Sequence, residues 1–456
     1  MFDFVIRGNV VTPERVIEDG YLAVSGSTIR AVGTGEPPPS RRVEDFTGHL
    51  LFPGLIDAQT HAGSHEGIAG LADATRAAAA GGVTTIVDMP FDDPIPVTDL
   101  ATWQAKVDKI AELAVVDVGL YVTAKKEGDV AGHLESLIEA GACAVKLSTY
   151  EYHPVRFPRF TTGEMYRIFL AAASLGVPVA FHNEDQEIVS HFLAESRARG
   201  DTSPAAHGRS RPPMAELVAN AQILELASHT GVRCHIVHSS IPEGFKLVAE
   251  YRRRGHDFTA ETCLQYLIFN EDDMVARGAF LKQNPPLRAE EFRRRMWQSL
   301  ADGEIDLVST DHVAWPVSRK SDPDIFKNGS GIPGLETLLP VFYTEAVTVH
   351  GLSPTVIAQV SALNPAKHFG FYPRKGFLGV GADADIAVMK LGATIFDQAK
   401  MTSTVKWSPF HGRPLAATIA ATFVRGTKVF EHGKVLVPAG FGQLLKPSGK
   451  GSRKAS

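Results

Sequence analysis

The chain has 456 residues, enough for a large core and a second folded unit. Its 46 basic side chains against 51 acidic ones leave a formal net charge of −5, which offers little to nucleic acid or to an anionic membrane surface. Cys143, Cys234 and Cys263 stand far apart with neither zinc spacing nor a disulfide framework, and no leader or membrane-length apolar run is evident, so a cytoplasmic protein is expected.

Residues 1–50 open with "FVIRGNVVT" and "YLAVSGSTIRAVG", short alternating runs separated by Gly and Asp, read as hairpins. Eight β-rich runs follow, each ending in polar residues: "LLFPGLIDAQTH", "TTIVDMP", "DVGLYVTA", "ACAVKLST", "PVAFHNE", "RCHIVHSS", "DFTAETC" and "IDLVSTDH". Ala- and Leu-rich helical stretches lie between them, several closing on Gly as helix C-caps do. Strands alternating with helices imply parallel βαβ units. Eight of them fit a (β/α)8 TIM barrel over 51–375, with its site at the C-terminal strand ends. From 376 to 441, "GFLGVGADADIAVMK" and "TFVRGTKVFEHGKVLV" return to hairpins. These are expected to join residues 1–50 in a small β-sandwich made by both termini. The polar stretch ending "KPSGKGSRKAS" reads as a disordered tail over 442–456.

The polar strand ends carry the chemistry. In "LFPGLIDAQTHAG", Asp57, Gln59 and His61 alternate and share one strand face. His61, Lys146, His182, His238 and Asp311 end five of the eight runs. Each alone has an ordinary explanation: a hydrogen-bonded core histidine, an ion-paired lysine, a helix-capping aspartate. Five together at one end of a barrel call for a shared one, and a divalent metal supplies it: Zn, or Mn, Co or Fe, one or two per chain. A lysine is the odd member, since an ammonium repels a cation. Burial favours its neutral form, and a neutral amine can take up carbon dioxide to become a bridging carbamate.

The motifs "PGLIDAQTHAG", "AVKLSTYEYHP", "FHNEDQEI", "HIVHSS", "ETCLQYL", "NPPLR", "STDHVAWP", "GIPGLETLLP" and "WSPFHGRPL" resemble the cyclic amidohydrolases, a group of allantoinases, hydantoinases and dihydropyrimidinases. The likeness runs from Phe2 to about Phe441. It implies a barrel with a β-sandwich, two metals on a carboxylated Lys146, histidine ligands His61, His182 and His238, and Asp311 as ligand and general base. It leaves His235 structural. It implies opening of a cyclic amide or ureide ring by metal-hydroxide attack on the ring carbonyl, with C–N cleavage. The overall look favours allantoinases and L-hydantoinases. A dihydropyrimidinase-type enzyme is the alternative within the family, and assembly as a homo-oligomer, a tetramer, is expected.

One position departs from the family. Where it has a second histidine, this chain has Gln59, a neutral and weaker oxygen donor. Four outcomes are open: a weakened outer metal, a single metal, a pair completed by water, or a catalytically silent binding protein. A deaminase on the same barrel is disfavoured by the lysine. For the substrate, the resemblance implies loop groups at Asn284 in "QNPPLR" and Ser330 in "GSGIPG", with Gly329, Gly331 and Gly334 allowing close approach. Tyr150, Tyr152 and Phe157 are candidates for an apolar pocket, or for plain barrel packing, and Arg156 or Arg159 for meeting a polar arm. His65 and Glu66 belong either to an altered site or to a solvated loop.

Overall fold

Runs such as "AVVDVGLYV" are apolar at nearly every position, the pattern of parallel strands covered on both faces. In the computed structural model, which describes residues 1–448, each β-rich run forms a strand. The terminal sheet begins with β1 (Phe4–Val11), β2 (Val16–Ser25), β3 (Thr28–Thr34) and β4 (Val43–Pro53). Eight strands then pair side by side in chain order: β5 (Leu55–Thr60), β6 (Val83–Asp88), β7 (Asp117–Val122), β8 (Ala144–Ser148), β9 (Pro178–His182), β10 (Arg233–Ile236), β11 (Phe258–Cys263) and β12 (Leu307–Ser309). All their pairings are parallel. The barrel closes just beyond the two outer strands, where the His61 N–H donates to the His312 carbonyl at 2.9 Å. Asp57 reinforces that seam, accepting from the Thr310 amide at 2.8 Å and its hydroxyl at 3.0 Å. Between strands run helices with signalled starts. Asp99 and Thr161 close capping boxes at Leu100–Leu113 and Thr162–Leu175.

The chain passes from terminal sheet to barrel at Gly54, where a side chain would lie 2.2 Å from Thr84 Oγ1, so only glycine fits. The remaining strands, β13 (Ile386–Ile395), β14 (Pro414–Val424), β15 (Thr427–Glu431) and β16 (Lys434–Val435), complete the terminal sheet in the order β16-β15-β14-β13-β4-β1-β2-β3. The two termini therefore share one continuous ladder. It curls enough to stack Phe4 of β1 on Phe423 of β14, with centroids 6.0 Å apart, which gives the sandwich-like element its own core.

The tail departs from expectation. Rather than being disordered from 442, the chain continues across the base of the barrel. Val118 N–H donates to the Gln443 carbonyl at 2.9 Å, Leu445 N–H to the Val118 carbonyl at 2.8 Å, and Leu445 is buried. One apolar side chain and a free strand start on β7 hold what polar composition alone argued against. Residues 449–456 of that expectation lie outside the described residues.

Candidate metal centre

Five strands deliver the candidate residues to one cavity of about 310 Å³, lined by Gln59, His61, Lys146, His182, His238 and Asp311. Lys146 comes from within β8 and His182 ends β9, while His61 follows β5. His238 and Asp311 lie two residues past β10 and β12, with φ of 40° and 50°. Both are in the left-handed region, which Asp19, Lys406, Arg425 and His432 also adopt elsewhere in the chain and which His and Asp tolerate better than most residues.

The imidazoles and the carboxylate form two close pairs. His182 Nδ1 lies 3.0 Å from His238 Nε2, and His61 Nε2 lies 3.3 Å from Asp311 Oδ1. Burial pushes His182 below the usual imidazole range and His238 well below it, so both rings offer lone pairs rather than charge. Burial likewise lowers Lys146 to about 8, against the opposing pull of Asp311 and Glu261. Its Nζ is buried with no hydrogen-bond partner, a costly state for an ammonium and a natural one for an amine awaiting modification. Converging lone pairs, an ionisable carboxylate and an unpartnered lysine are a donor set that fits divalent metal.

Gln59 is on the expected face and nearly fully buried, but it is turned toward Asp311: its Nε2 donates to Asp311 Oδ1 at 2.8 Å. An ionised carboxylate only accepts, so the amide presents its NH₂ there, and Oε1 is buried without a partner.

Sequence reasoning missed a second layer. His182 Nε2 meets Glu184 Oε2 at 2.9 Å, and the same oxygen is paired with Arg211 Nη1. The Arg211 cation holds Glu184 down at about 2 despite complete burial. Glu184 follows His182 by two residues, the same alternation that grouped Asp57, Gln59 and His61, so the signal was present. Near His61, the Ala62 N–H donates to Asp88 at 2.8 Å, and Asp88 is paired with the buried Lys106 at 2.7 Å. Ser64 Oγ stands 3.3 Å from His61 Nδ1. His235 is structural in its setting, bonded to Thr259 Oγ1 at 2.7 Å and packed on His368.

The expected substrate groups divide. Asn284, Ser330, Tyr152, Phe157 and Arg156 line the cavity, with Phe91 and Trp315. Ser330 already uses its carbonyl to accept from Trp315 Nε1 at 2.8 Å, while its Oγ is buried and unpartnered. Gly331, at φ 109°, leaves room that a side chain would close against Val313. Gly329 is buried, packed beneath Trp315. Tyr150 does not line this cavity. Its ring is held under the Arg211 guanidinium, 4.5 Å from ring centroid to Cζ, and faces a neighbouring one. Arg156 is spent on the loops, donating to the Ser64 and Phe91 carbonyls, and Arg159 lies away. His65 stands beside Trp315, and with Glu66 lines a small crevice on the other side of His61.

A model of the amidohydrolase family matches residues 50–429. The chain belongs to the amidohydrolase family. It is 33% identical to an L-hydantoinase of Paenarthrobacter aurescens, over 98% of each chain. It is also 33% identical to an allantoinase of Solibacter usitatus, over 98% of this chain and 97% of that one. Among solved structures, an L-hydantoinase (dihydropyrimidinase) from Arthrobacter aurescens superposes with a TM-score of 0.93 at 32% identity, covering 98% of this chain and all of that one. In this amidohydrolase one further acidic trio invites comparison with a metal site. Asp117, Asp383 and Asp385 offer oxygens within 4.8 Å of one another at the base of the barrel. The Lys375 ammonium already sits among them at 2.7, 3.0 and 2.6 Å, so that cluster is charge-compensated without an ion. Among the described residues no helix is long and apolar enough to cross a membrane.

Proposed function

We propose that this chain opens a cyclic amide or ureide ring, allantoin- or hydantoin-like, by hydrolysing a ring C–N bond. The observation that carries the proposal is the unpartnered, buried Lys146 Nζ in a cavity it lines together with His61, His182, His238 and Asp311. The names of the relatives support the substrate class. His182 and His238 with Lys146 would hold an inner divalent metal, Zn or else Mn, Co or Fe. His61, Asp311 and, more weakly, Gln59 would hold an outer one, and Lys146 would carry the bridging carbamate. Such a metal supplies Lewis acidity to the carbonyl and makes water acidic enough to attack near neutral pH.

The chain's own residues do the rest. Asp311 takes a proton from the attacking water at Oδ and returns it to the leaving ring nitrogen, a transfer that general acid–base catalysis rewards. Gln59 and His61 hold that carboxylate in place from two sides. The buried, unpartnered Asn284 Oδ1 and Ser330 Oγ are free to hold the ring's imide edge, and Phe91, Phe157 and Trp315 exclude water. A silent binding protein, the reading Gln59 alone would favour, gives no reason for an unpartnered buried lysine in a cavity lined by three histidines and an aspartate. Ring-opening assays on five- and six-membered cyclic amides, with protein produced under added Zn, Mn or Co, test the proposal. Absence of turnover with metal bound would overturn it.

A further inference from the structure

Beside the central cavity lies a second one of about 350 Å³, sharing Tyr152, Asn284 and Arg319 with it. Its lining includes five cationic side chains, Arg197, Arg211, Lys282, Arg319 and Lys327, and no carboxylate. Arg211 is neutralised by Glu184 behind it. The other four have no acidic partner within 4.0 Å among the described residues. Arg197, Arg319 and Lys327 are exposed to the cavity and solvent, whereas Lys282 is buried and donates only to the Asn328 and Phe326 carbonyls. Burial and the neighbouring Arg211 and Arg319 charges lower Lys282 to about 7, against the opposing pull of Asp324. A neutral substituent would gain nothing from such a wall, whereas an anion would relieve its like-charge repulsion and find charge-assisted donors. The shared lining makes this space a continuation of the ring site.

Resting on the ring-opening reading above, we infer that the second cavity is a subsite for an acidic group on the substrate's exocyclic arm. The substrate class is then a cyclic ureide or amide bearing a carboxylate- or phosphate-type arm.

The test compares metal-reconstituted enzyme on two hydantoins of matched length, one with a 2-carboxyethyl and one with a propyl arm at C5. The carboxylate arm should raise kcat/KM by about tenfold or more, mainly through KM, with the advantage shrinking as salt is added. In Arg197→Gln/Lys327→Gln, which alters only the outer wall, that advantage should fall several-fold while turnover of the propyl substrate is unchanged. Equal turnover of the two arms, or an advantage that survives the double variant, would overturn the inference. Calorimetric titration with glutarate separates it from the ring-opening reading. If neither hydantoin reacts yet glutarate binds wild type and not the double variant, the anion site stands and the ring-opening reading falls. If glutarate instead accelerates the propyl substrate without competing with the carboxyethyl one, the anion is a separate effector and the arm assignment is lost.

Discussion

Gln59 Nε2 donates to Asp311 Oδ1 at 2.8 Å, and His61 Nε2 lies 3.3 Å from the same oxygen. One carboxylate oxygen is thus gripped from the opposite edge of the barrel seam by Gln59 and by His61. An amide turned toward a carboxylate holds it, but it brings no imidazole to a metal. The outer metal should therefore bind more weakly than the inner one. Protein as purified should hold fewer than two metals per chain, with activity rising on added divalent metal. Gln59→His should raise occupancy, and elemental analysis before and after supplementation checks both. Two metals without supplementation, and no response to Gln59→His, would contradict the assignment.

Lys146→Ala should lose both metal and activity, because it removes the one lysine, among the described residues, that lines the cavity with the three histidines and Asp311. Short-chain carboxylic acids added back should restore part of each. Full metal occupancy in the variant would remove Lys146 from the site.

Asp311→Asn should cut turnover by about 10²- to 10⁴-fold with little change in KM, since it deletes a proton carrier while leaving the ring's contacts. Steady-state kinetics on reconstituted protein decide the matter. A loss confined to KM would assign Asp311 to binding instead.

Glu184→Gln should weaken metal binding by about 10- to 100-fold, the usual cost of losing the carboxylate behind a ligating histidine. It also strands the buried Arg211 charge, so the melting temperature should drop as well. Competition with a chelator reads the first effect and a thermal melt the second. Unchanged affinity would leave Glu184 with a purely structural task.

Glu336 offers a pH test away from the metal. Burial raises it to about 7 from its ordinary 4.5, even though the Thr402 and Ser403 amides donate to it. Between those values the folded protein holds a proton that the unfolded chain has released, so stability falls as pH rises through the window. Glu336→Gln should flatten that part of the profile, visible as a smaller shift in denaturant midpoint between pH 5 and pH 8. An identical shift in both proteins would exclude Glu336 as its source.

The sequence by itself determined the barrel and the terminal sheet, because both rest on local signals. Apolar runs of strand length alternate with capped helical stretches, and the short alternating runs at both ends are the ones that pair. It also brought Lys146, His182, His238, His61 and Asp311 to one end, since polar groups closing buried strands have few other places to go. Alternation along β9 contained Glu184 as well, though its value is visible only once Arg211, far along the chain, is packed against it. Tertiary structure alone decided the direction of the side chains and the pairings across the closing seam. Whether Gln59 meets a metal or Asp311 depends on how β5 and β12 register beyond their ends. Tyr150 turns away because Arg211 covers its ring, and Leu445 orders the tail because the base of the barrel has an apolar gap to fill. The basic wall is the extreme case: Arg197, Lys282 and the Arg319–Lys327 loop come from three separate segments, and no periodicity in a sequence brings such charges together. Long-range packing does, because the loops that cap a barrel meet over its mouth whatever their separation along the chain.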